Sequence, residues 1–172
     1  SSAASDVYKR QGLFIREGQA TLADGQVIDN RADMNGGGVY VHFEVASFTL
    51  ADGGTIANNH AAGTALGQGG GGLYVNSGSA VLQGGQIRDN DAINGGGVLV
   101  SLGGRLTQTG GAIADNHATG TAAGEGGGGL YVNSGSALLQ GGQIHDNDAS
   151  DGGGVFVNRA EAVLTQTGAS VI

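Results

Sequence analysis

The chain has no cysteine, no proline and no tryptophan among its 172 residues, and a single methionine. Without cysteine there is neither a disulfide framework nor a thiolate metal site. Without proline and a strict third-position glycine, a collagen helix is excluded. Basic residues are scarce too, seven Lys+Arg against 15 Asp+Glu, for a net charge of -8. Such a surface repels a phosphate backbone, so nucleic acid is not an expected partner. No apolar run approaches the roughly 18 residues of a membrane helix, so this segment is not expected to span a bilayer.

What is present in excess is glycine, 37 residues, about three times the usual ~7%. A flexible linker is the simplest source of such a bias, but 39% apolar residues argue against disorder. Residues 1–11 (SSAASDVYKRQ) share no text with the rest. They lack the apolar core of a signal peptide and resemble a translated adapter. They are read as a non-native or unstructured leader, and residues 12–172 as one repetitive segment.

The repeat marker is a glycine run followed by three β-formers. It reads GGGVYV (36–41), GGGLYV (70–75), GGGVLV (95–100), GGGLYV (127–132) and GGGVFV (152–157), with a degenerate GLFI at 12–15. Successive markers lie 34, 25, 32 and 25 residues apart, so long and short units alternate. The extra residues form a Gly/Ala/Thr tract, AGTALGQG (62–69) and TGTAAGEG (119–126). Insertions at one point of a repeat become loops on one face of a stack.

Each unit carries three short strand signals. The marker is apolar at alternate positions, as at Val39/Val41 and Leu73/Val75. A second signal surrounds Leu22, Leu50, Leu82, Leu106, Leu139 and Leu164. A third centres on Val27, Ile56, Ile87, Ile113, Ile144 and Val171. Glycines separate the signals, and no window sustains a helical period. A unit of this size cannot bury its own apolar side, and stacking gives one continuous interior. The predicted fold is an all-β, right-handed parallel β-helix of about six coils with three short strands each, a rod roughly 29 Å long.

A tail of the form apolar-x-x-Asn-x-Ala follows the third strand. Its asparagines are Asn30, Asn59, Asn90, Asn116 and Asn147. At identical bends they are expected to stack as a hydrogen-bonded amide ladder. The residue before each (Asp29, Asn58, Asp89, Asp115, Asp146) forms an acidic column, open to a calcium ion or to Asx-type bonding. The residue after each alternates basic or His with acidic in the last four units: Arg31, His60, Asp91, His117, Asp148. Such a column relieves repulsion between coils and leaves a pH-sensing role open.

The middle marker residue points away from the flanking aliphatics. This places Phe14, Tyr40, Tyr74, Tyr131 and Phe156 in one stripe, broken by Leu99. Exposed, the stripe stacks on sugar rings or docks a partner; covered, it is a ladder between coils. It is the candidate ligand or partner face. No catalytic residues, metal site or cofactor are expected, because the polar residues repeat with the coils instead of converging on one.

The texts GGGVYV and GGxI-x-x-N resemble the repeats of chlamydial polymorphic outer-membrane proteins and of related autotransporter and adhesin passengers. The resemblance spans about residues 12–172. It implies an exported β-helical stalk at the bacterial surface or outside the cell, touching host or cell-surface glycan or protein. The Phe usual three residues before the repeat Asn is Val or Ile here. The chain is expected to be a fragment of a longer solenoid. A carbohydrate-processing β-helix enzyme, lyase- or hydrolase-like, is the alternative, and an ice- or surface-binding solenoid a lesser one.

Overall fold

The computed structural model describes residues 11–172, so the expected leader lies almost wholly outside the described residues. The first coil supplies strands Leu13–Ile15, Gln19–Leu22, Gln26–Ile28 and Arg31–Ala32. Each begins a sheet, labelled A, B, C and D in that order. Later coils add one strand to each sheet in chain order, always parallel to the last. Sheets A and B reach six strands, C and D five. The fold is an all-β parallel solenoid, with no helix among the described residues.

The three expected strands are all present, and the tail adds a fourth of two residues: Arg31–Ala32, His60–Ala61, Asp91–Ala92, His117–Ala118 and Asp148–Ala149. The first five coils therefore have four strands each where three were expected, and the last has two and a bridge. Two residues are too few to show a period of two, which is why this strand leaves no pattern in the sequence. Its alanine points inward, and Ala32, Ala61, Ala92 and Ala118 are buried.

One hydrophobic cluster runs the length of the stack. It is built from the inward residues of A (Val39/Val41 to Leu130/Val132), of B (Phe48/Leu50, Ala80/Leu82) and of C (Ile56, Ile87, Ile113, Ile144). Each fully buried aliphatic contributes about 1.5–3 kcal/mol. Sheet B shows how volume is shared. Leu22, Leu50, Leu82 and Leu139 form one column, but Leu106 and Leu164 sit two residues earlier, opposite Ala80 and Ala137. Gln108 takes the leucine place and is buried, its Nε2 donating to Gln143 O at 3.4 Å. A shift of two keeps the face, so large still meets small. Val171 bridges Gln143, one place short of the isoleucine column.

Four corners turn each coil, and left-handed backbone recurs at all of them. Glycines take the D-to-A corner (Gly36, Gly70, Gly95, Gly127, Gly152), and Asp24 followed by glycines takes the B-to-C corner. Asp29, Asn58, Asp89, Asp115 and Asp146 take the C-to-D corner, with φ from 53° to 58°. Gly96 shows a second demand. A Cβ there would lie 2.3 Å from His117 O of the next coil.

Candidate functional site

The asparagine ladder follows the C-to-D corner. Asn59 Oδ1 accepts from Asn30 N (3.0 Å) and Asn30 Nδ2 (2.9 Å). Asn90 Oδ1 accepts the same pair from Asn59, Asn116 Oδ1 from Asn90, and Asn147 Oδ1 from Asn116, all at 2.9–3.0 Å. The second amide hydrogen reaches the isoleucine strand one coil back: Asn90 Nδ2 donates to Ile56 O and Asn116 Nδ2 to Ile87 O. Every capacity of the central amides is used, which is why a polar group can be buried here. The left-handed residue is not the asparagine but its predecessor, where Asp and Asn both tolerate such backbone. That conformation explains the acidic column by itself, and no cluster of three or more His, Asp or Glu able to hold a metal occurs among the described residues.

Sheet D brings the alternating column into register as Arg31, His60, Asp91, His117 and Asp148. His60 Nδ1 contacts Asp91, and His117 lies 3.8 Å from Asp91 and 3.4 Å from Asp148. These side chains are a third or more exposed, so each pair contributes about 0–1 kcal/mol.

The aromatic column faces away from the main core, as expected, but its exposure is corrected. Tyr74, Leu99 and Tyr131 form a second buried cluster, with Tyr40 and Phe156 packed against it. Tyr131 is 0% exposed and Tyr74 3%; Phe14 alone, at 40%, counts as an exposed large apolar residue of the column. Two inserted tracts, 62–69 and 119–126, fold back over this face. Tyr74 Oη donates to Gly67 O at 3.2 Å and Tyr131 Oη to Gly124 O at 2.6 Å. A Cβ at Gly124 would lie 3.5 Å from Leu66 Cδ1, so the two loops adjoin. Tyr40 and Tyr74 stack with centroids 5.0 Å apart, and Tyr131 meets Phe156 at 5.1 Å. Burial holds the Tyr40 and Tyr131 hydroxyls above the usual phenol range and pushes Tyr74 up to about 12.

A different feature lies at the A-to-B corner. Its left-handed residues are Phe43, Ser77, Leu102, Ser134 and Arg159, with φ from 61° to 80° except Leu102 at 52°. Gly103 (φ 79°) follows Leu102 at the same corner, but none of these five is glycine, asparagine or aspartate, the types that accept this backbone cheaply; other residues pay about 1–2 kcal/mol each. Strain held at one place is a pointer to function. Three cavities follow the same corner. One of about 340 Å³ is lined by Phe43, Glu44, Val45 and Ser77 with Glu17. It shares Glu44 and Ser77 with one of about 410 Å³ that adds Ser79, Leu102 and Arg105. Leu102 joins that to a third of about 370 Å³, which reaches Tyr74, Asn133, Arg159 and Glu161. The three cavities thus adjoin along the corner, parallel to the axis.

Hydrogen bonds hold its rim. Ser77 Oγ donates to Leu102 O (2.9 Å), Leu102 N to Ser134 Oγ (3.2 Å) and Arg159 Nε to Asn133 Oδ1 (2.9 Å). Leu102 is 63% exposed, and Arg16 sits over the Phe43 ring at 5.6 Å. Sequence reasoning passed over this corner because its residue types change from coil to coil. The signal available was the one corner whose left-handed position holds no recurring glycine, asparagine or aspartate. No family model, no curated protein and no solved structure matches the chain.

Proposed function

We propose that this segment is the non-catalytic, right-handed β-helical stalk of an exported, surface-displayed adhesin, and that it binds an extended glycan along the A-to-B corner. The observation that supports the reading is the row of adjoining cavities past Glu44, Ser77, Leu102 and Arg159, set on strained backbone. Rigid parallel ladders on both sides hold such a site without the ordering cost of a loop. The bacterial-surface assignment rests on the likeness of the Gly-rich repeats to polymorphic outer-membrane passengers.

The test is a glycan array probed with the purified chain. Binding that is lost on filling the groove by Ser77→Trp, and kept in Tyr131→Phe, supports the reading. Release of new reducing ends from a bound polysaccharide would overturn the non-catalytic part.

A further inference from the structure

The groove's lining says more about its occupant, on the premise that it binds a glycan at all. From Phe43 to Arg159 the corner crosses five successive coils, so the groove runs about 19 Å at ~4.8 Å per step. That length takes several sugar units, not one. Ser77, Ser79 and Ser134 supply partly exposed hydroxyls. Phe43 and Leu102 supply apolar faces between them. Directed polar groups alternating with small apolar patches suit a polyhydroxylated chain. A peptide fits less well. Peptides dock onto sheets largely by pairing with a free strand edge. Here the backbone is already paired between coils, with Ser77 N donating to Ser101 O and Gly103 N to Ser134 O.

Charge narrows the class further. Lys9 and Arg10 lie outside the described residues, leaving five arginines of the seven basic residues. Three of the five, Arg16, Arg105 and Arg159, stand along this corner of a chain with net charge -8. Arg16 is paired with Glu17 at 3.7 Å. Arg105 and Arg159 have no ion-pair partner among the described residues, and they lie two coils apart, about 10 Å along the axis. Guanidinium groups recognise carboxylates in a bidentate fork. Glu44 and Glu161 on the same walls repel a chain of high charge density. We infer that the groove binds a sparsely carboxylated oligosaccharide, one with a uronate at every second sugar, held by Arg105 and Arg159.

Calorimetry with a hexasaccharide of alternating uronate and N-acetylhexosamine tests this, beside its carboxyl-reduced form and a sulfated chain of equal length. The native chain is expected to bind the uronate form at least tenfold more tightly than either. Arg105→Gln with Arg159→Gln should remove that preference, so that the uronate and carboxyl-reduced forms bind alike. Both side chains lie on the surface, and Arg88→Gln on another corner serves as the charge control. Equal binding of the uronate and reduced forms would overturn the carboxylate assignment and leave the glycan groove standing. Tighter binding of the sulfated chain would reduce the preference to general polyanion attraction and overturn it too. Binding of none of the three by the folded native chain would overturn both this inference and the glycan reading beneath it.

Discussion

Replacing Asn90 by alanine isolates the energetic logic of the ladder. Asn90 is 1% exposed, and its side chain takes part in four hydrogen bonds. Its Oδ1 accepts from Asn59 N and Nδ2, and its Nδ2 donates to Ile56 O and Asn116 Oδ1. Alanine removes the acceptor of two buried donors on Asn59. Asn116 Oδ1 keeps the Asn90 backbone N–H, so the acceptor side loses less. A stranded buried group costs about 1–3 kcal/mol, so the two donors together cost about 2–6 kcal/mol. At the ladder's first rung the balance differs. Asn30 only donates along the ladder, to Asn59 Oδ1, and its other bond to Ile28 O is exposed, so Asn30→Ala should cost about 1 kcal/mol. Solenoids unfold in parts, so a single global midpoint is a poor reporter. Amide hydrogen exchange at Asn59 reads the effect directly, because that N–H donates to the deleted oxygen. Loss of most of its protection in Asn90→Ala, with little change in Asn30→Ala, is expected. Equal effects of the two substitutions would refute the idea that stranded donors set the cost.

Three further outcomes follow from the packing. The folded state holds the hydroxyls of Tyr40, Tyr74 and Tyr131 neutral above their ordinary value of 10.0, so this stability is present below pH 10 and is lost as pH rises towards 12. Phenolate absorbance should show its highest step vanish in Tyr74→Phe. Tyr131→Ala should lower local stability by about 3–5 kcal/mol, read from amide exchange in its coil, whereas Phe14→Ala, at the exposed end of the column, should cost under about 1 kcal/mol. Gly96→Ala should destabilise by at least about 1–3 kcal/mol because its Cβ meets His117 O. Gly18→Ala, with nothing within 4 Å, should be neutral or slightly stabilising by the same exchange readout.

The legible part of the fold was whatever repeats at a fixed offset. The marker strands, the isoleucine column and the asparagine ladder stand where the spacing placed them, because stacking turns identical offsets into identical corners. Shorter or shifted features were not legible. The sheet D strand has too few residues to show a period. Leu106 was aligned with the other leucines, but a shift of two preserves its face, and only the facing alanines decide between the registers. Which residue of the C-to-D corner is left-handed was not legible either, since Asp and Asn both suit such backbone.

The sequence by itself determined the period, the parallel stacking and the hydrogen-bonded asparagine spine, since these depend on residue spacing alone. Tertiary structure decided what stands open to solvent. The aromatic stripe lies outside the coil as its alternation requires, yet the paths of tracts 62–69 and 119–126 across sheet A cover it. The A-to-B corner stays open, and there side chains from five coils line adjoining cavities. No local pattern records that convergence, because the coil-to-coil rise brings together residues about 25–34 positions apart.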